Sequence, residues 1–76
     1  LKPIKANKFR KLLKSLGLVH VRTKGSHEIW DKPNDSLDRP VVLVSNLDEV
    51  PVAHIKTNLS TLGIDIKDLE EKLSKL

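Results

Sequence analysis

Two stretches of helical periodicity, each closed by a Leu-Gly pair, bracket three short runs with the pattern of β-strands. Phe9, Leu12, Leu13 and Leu16 recur at i, i+3, i+4 and i+7, the apolar stripe of an amphipathic helix over residues 7–16. Lys8, Lys11 and Lys14 or Ser15 take its other side, and Gly17 stands where a left-handed residue ends a helix. Val52, Ile55, Leu59 and Leu62 form a second stripe that Gly63 closes. Pro51 suits its first turn, where the missing N–H is not needed. A chain of this length has room for one modest core, so both stripes must share it.

Between the stripes the period changes to two. Val19, Val21 and Thr23 alternate with His20, Arg22 and Lys24, the pattern of a half-exposed strand over residues 18–24. Gly25 supplies a turn, and residues 26–32 return as a second strand. If Trp30 turns inward, Ser26 and Glu28 share its side, while His27, Ile29 and Asp31 look outward. That register leaves His27 reachable at the cost of burying Glu28. Residues 33–40 (PNDSLDRP) carry loop signals throughout, Val41–Val44 is a short apolar strand, and residues 45–50 are a further connection. A third, shorter helix spans residues 66–75, capped by Asp65 with Asp68 three residues on, and its apolar side is Ile66, Leu69 and Leu73.

Strands joined by a tight turn and an eight-residue loop favour an antiparallel meander over a crossover. The expectation is an α+β fold of order α-β-β-β-α plus a short C-terminal helix, one domain over residues 1–76. Helices pack one face of a three-stranded antiparallel sheet and leave the other open. Double-stranded RNA-binding domains share this order, an analogy of fold that does not by itself give function.

Charge narrows the partners. Lys2, Lys5, Lys8, Arg10, Lys11, Lys14, Arg22 and Lys24 all precede the first acid, Glu28, within a net charge of +4. Such polarity favours a polyanion, nucleic acid before others. Phe9 and Trp30 are the only aromatic residues, too few for a ladder on which single-stranded bases would stack. Recognition would then run through phosphates, sugars and shape. Without cysteine there is no disulfide, thiolate ligand or thiol nucleophile, which suits a cytoplasmic setting. No apolar run approaches the roughly 18 residues that span a bilayer, and no signal-peptide pattern is present.

Lys24-Gly25-Ser26-His27 concentrates the chemistry: a turn residue, a hydroxyl and an imidazole directly after two cations. Histidine exchanges protons near neutrality, and neighbouring cations would hold a phosphate beside it. The bland alternative is a hairpin turn with an exposed histidine. His20 and His54 read as solvent-facing residues without a role. A zinc site from His20, His27 and His54 lacks a fourth strong ligand and any metal-ligand spacing. Asp35 and Asp38 sit in the turn-forming loop and suggest no carboxylate pair for hydrolysis.

Taken together, the lysine-rich helix ending in Leu-Gly, the hairpin Arg22, Lys24, Gly25, Ser26 and His27, the short Val-rich strand and the closing Leu-Gly-Ile resemble the HicA (YcfA-like) mRNA interferases. These are the toxins of toxin–antitoxin pairs. The chain departs from their usual pattern at Val44-Ser45-Asn46, where relatives carry Pro-x-His, at Ala53-His54, where many carry Gly-Thr, and at the acidic Asp48 and Glu49. The resemblance implies a ribonuclease that needs no metal or other cofactor. In it His27 transfers protons as general acid or base and Lys24 and Arg22 hold phosphate, with Ser26 either an RNA contact or only a hydrogen-bonding turn residue; the acid-free first third of the chain adds Lys8 and Lys11 as phosphate contacts. It also implies two partners, an mRNA or other RNA substrate and a HicB-like antitoxin that covers His27. Two other classes stay open at this level: a non-catalytic RNA-binding module using the same basic surface, and a protein-interaction domain whose exposed sheet edge accepts a strand.

Overall fold

The hairpin that carries the histidine is built by its turn. β2 (Val19–Lys24) and β3 (His27–Asp31) pair antiparallel, with Lys24 opposite His27, so Gly25 and Ser26 form a two-residue loop. Loops of that length need a positive φ at the first central position, and Gly25 has φ +60°. β4 (Val41–Val44) pairs antiparallel with β3, giving a sheet of order β2-β3-β4. The structure, a computed structural model, describes residues 1–34 and 37–76. Asp35 of the proline-flanked loop therefore lies outside the described residues.

Three helices complete the α+β fold: α1 (Ala6–Ser15), α2 (Val52–Leu62) and α3 (Ile66–Ser74). The anticipated stripes form the core. Phe9, Leu12 and Leu13 of α1, Ile55 and Leu59 of α2 and Leu69 of α3 are buried with Trp30, Val41 and Leu43 of the sheet. Both Leu-Gly pairs end their helices, with φ +88° at Gly17 and +70° at Gly63. Asp65 caps α3 by accepting a 2.8 Å hydrogen bond from the Asp68 N–H.

Four local expectations are corrected. Residues 45–50 are not merely a connection, because β5 (Glu49–Val50) pairs antiparallel with β1 (Ile4–Lys5). Two-residue strands are too short to show any periodicity. Together with the Ala6 N–H to Asp48 C=O bond of 2.8 Å, this ladder starts α1 at Ala6, one residue before the span 7–16 read from the apolar stripe. Pro51 is the residue before α2 rather than its first helical position. Ile66 opens α3 facing solvent, 41% exposed, so Leu69 alone anchors that helix fully in the core.

The largest correction concerns β2. Every residue of this edge strand is exposed, Val19 and Val21 at 46% and 51%. The pairing shifts between His20 and Arg22, leaving Val21 as a bulge. A bulge inserts one residue and so changes which face the following side chains take. His20 is consequently opposite Trp30, with ring centroids 5.6 Å apart, and not on the side of Arg22 and Lys24.

Candidate functional site on the open sheet face

Residues alternate across a strand, and β3 uses this to divide its polar groups between two faces. Glu28 and Trp30 are buried on the helix-covered face, as the inward register of Trp30 anticipates, while His27 is exposed on the other. The cost of burying Glu28 is offset by a fork from α1. Arg10 Nε donates to Glu28 Oε1 at 3.0 Å and Arg10 Nη2 to Oε2 at 2.6 Å, and Trp30 Nε1 donates to Oε1 at 3.1 Å. Two-pronged, charge-assisted bonds of this kind are the strong ones. The hydrogen bond from Arg10 holds the Glu28 carboxyl below its ordinary pKa despite burial, and the same bond raises Arg10. Arg10 therefore belongs to the scaffold, and one of the eight early cations is not offered to a partner.

His27 has no such tie. Its imidazole makes no hydrogen bond or ion pair among the described residues. Residues directly opposite in an antiparallel pair project to the same side about 5 Å apart at Cβ, which places Lys24 beside His27. Arg22, two residues back and opposite Ile29, shares that face. Both cations are exposed, and neither meets a carboxylate among the described residues. The open face thus presents an imidazole and two cations on a hairpin whose β3 arm is paired on both sides, to β2 and to β4, and whose β2 arm is the sheet edge. Ser26 serves the frame through its backbone, its carbonyl accepting from the Ser45 N–H at 2.7 Å and from the Ser45 hydroxyl at 3.1 Å.

A groove of about 300 Å³ extends this face toward α2, lined by His27, Val42 and Val44 from the sheet, Arg39 and Pro40 from the loop, and His54, Thr57, Asn58 and Thr61 from α2. Asn58 joins its walls: buried, it donates from Nδ2 to the Val42 carbonyl of β4 at 3.3 Å. One flank of α2 thus enters the core through Ile55 and Leu59 while the adjoining flank forms the groove.

The other residues anticipated for RNA contact lie elsewhere. Lys8 and Lys11 are exposed on α1, which packs the opposite face of the sheet; on the helical wheel Lys11 points directly away from the buried stripe. They do not join Arg22 and Lys24 in one patch. His20 donates to or accepts from the Thr23 hydroxyl at 2.8 Å on the Trp30 side, apart from His27. Two groove residues were missed in the sequence, His54 and Arg39. The signal available was topological. Val44 pairs with His27 and α2 begins eight residues later, so a histidine in its first turn was a candidate neighbour of that strand end.

Among known proteins, a family model described as the HicA toxin of bacterial toxin-antitoxin matches residues 6–64. No curated protein and no solved structure matches the chain. The matched span runs from the first residue of α1 to just past the end of α2, and so contains the hairpin and the whole groove.

Proposed function

The chain belongs to the HicA toxin family of bacterial toxin–antitoxin systems, and from that premise we propose that it is an mRNA interferase, an endoribonuclease that works without metal. Membership implies an antitoxin partner; we take it to be HicB-like and to cover His27 and the basic hairpin. The observation that carries the nuclease reading is the imidazole of His27, unpaired among the described residues, beside Lys24 and Arg22 on the exposed face.

The chemistry follows from those groups. The ribose 2′-OH attacks the adjacent phosphorus, and His27 moves a proton as general base or acid. Negative charge grows on the phosphate oxygens as the new bond forms, and Lys24 and Arg22 stabilise it. DNA lacks the 2′-OH and is spared. Lys8, Lys11 and Ser26 extend the RNA contacts of this reading, the first two from the helix layer. The chain's own groups supply the proton transfer and the charge, so activity should persist in chelator.

The deciding experiment is RNA cleavage by purified protein in excess EDTA, comparing wild type with His27→Ala. Cleavage by the wild type and its loss in the variant are expected. Cleavage retained by His27→Ala would remove the imidazole from the mechanism, and RNA bound but not cleaved by the wild type would leave a non-catalytic RNA-binding module as the better account.

A further inference from the structure

In-line cleavage of RNA needs two proton transfers, not one. As the O2′–P bond forms, the 2′-OH must lose its proton. As the P–O5′ bond breaks, the departing oxygen must gain one. An exposed lysine or arginine stays protonated at neutral pH and serves neither role well, whereas an imidazole serves either. A second imidazole beside the first would complete the reaction.

The groove holds one. His54, in the first turn of α2, is half-buried and lines the same cavity as His27. No hydrogen bond from its ring to any described residue ties it down. Both are fixed by regular elements, His27 at the first position of β3 and His54 on a helix anchored through Ile55, Leu59 and the Asn58–Val42 bond. Around 300 Å³ is at the lower end of volumes that take small ligands, and both imidazoles line that one space. Among the described residues, the titratable and charged groups lining the groove are His27, His54 and Arg39, with Lys24 paired across from His27. No carboxylate lines it among the described residues. Arg39 adds a cation to the lining itself.

We propose that His54 is the second catalytic residue, so that His27 and His54 act as a general acid–base pair on one phosphodiester. One imidazole enters neutral and takes the 2′-OH proton; the other enters protonated and gives its proton to O5′. The O2′–P bond forms, the P–O5′ bond breaks, and the products are a 2′,3′-cyclic phosphate and a free 5′-OH. Each imidazole ends in the state in which the other began. The proposal rests on the nuclease reading and adds a residue to it.

Three measurements test it. On the wild type, kcat/KM against pH should be bell-shaped, one limb for each imidazole; a single limb would overturn the pair without involving any mutant. His54→Gln should cut cleavage by roughly 10²–10⁴-fold with an unchanged melting temperature, while His20→Gln keeps the full rate and both limbs. The third uses an RNA analogue whose 5′ leaving group is an activated phenolate that departs without a proton. Whichever of His27→Ala and His54→Gln lacks the acid should cleave it at close to the wild-type rate, and the other should not. Rescue of both or of neither would overturn the proposal. Full cleavage and a full bell in folded His54→Gln, with His27→Ala inactive, would sink the second histidine alone. Full cleavage in His27→Ala would remove His27 from the mechanism and the pair with it, whereas no cleavage by the wild type would sink the nuclease reading beneath it.

Discussion

His27 and Glu28 are neighbours in the chain and opposites in circumstance. Glu28 is 9% exposed, takes three hydrogen bonds from Arg10 and Trp30, and ties α1 to the sheet. His27, one residue away on the other face, has neither ion pair nor hydrogen bond among the described residues. A buried charge is tolerated only when its bonding capacity is met, so partners identify Glu28 as part of the frame. A polar group held on a rigid strand without partners is free to serve a ligand. The two faces of one strand thus separate what folds the protein from what the protein offers to others.

The sharpest way to break this division is to exchange the expected outcomes. His27→Ala should lower RNA cleavage by roughly 10²–10⁴-fold, yet leave stability within about 0.5 kcal/mol, the usual range for exposed positions. Cleavage and melting temperature measured on one preparation decide it. A variant that melts much earlier but cleaves at full rate per folded molecule would place His27 with Glu28 in the frame.

The next effect is on folding. Glu28→Ala leaves a partly buried guanidinium and the Trp30 indole N–H without their acceptor, and should cost roughly 2–4 kcal/mol. For a domain of this size that is a fall in melting temperature on the order of 10 °C or more. Because Trp30 is the only tryptophan, its fluorescence should shift in the folded state as well. A Glu28→Ala protein as stable as the wild type would mean that the Arg10 fork contributes nothing net.

Acid should reproduce part of that loss. The Arg10 hydrogen bond holds the Glu28 carboxyl below its ordinary value of 4.5. Its contribution is therefore fully present above that value and disappears as pH falls through the lower folded one. The stability gap between wild type and Glu28→Gln, followed by denaturant titration, should be constant near neutrality and narrow below about pH 4.5. A gap that widens in acid would reverse the sign of the argument.

The same division explains what could be read from the chain. The helical stripes and the Leu-Gly stops were legible because burial repeats along a helix, and Trp30 fixed the face of β3 because so large an apolar group must go inward. Arg10 could not be distinguished from the other early cations, since its partner is 18 residues away and becomes adjacent only when α1 lies across the sheet. The Val21 bulge was equally invisible. It reverses the face of His20 through pairing with β3, which no alternation within β2 records. His54 and Arg39 reach the groove through tertiary packing alone, so at the candidate site the hairpin half was legible and the helix half was not.

The smallest effects separate the cations themselves. Arg22 and Lys24 stand beside His27, whereas Lys8 and Lys11 sit on α1, behind the sheet. Each phosphate neutralised contributes about −0.7 for single strands to −0.9 for duplex to the slope of log affinity against log salt. Lys24→Ala or Arg22→Ala should reduce that slope by about one such step even on a short oligonucleotide covering only the open face. Lys8→Ala and Lys11→Ala should leave the short oligonucleotide unaffected and lower the slope only for an RNA long enough to pass round the edge of the sheet. A single strand extends at most several ångströms per nucleotide, so comparing two lengths reads out geometry as well as charge. Equal effects of all four substitutions on the short oligonucleotide would mean that the bound RNA crosses from one face to the other, and that the open face is not a self-contained site.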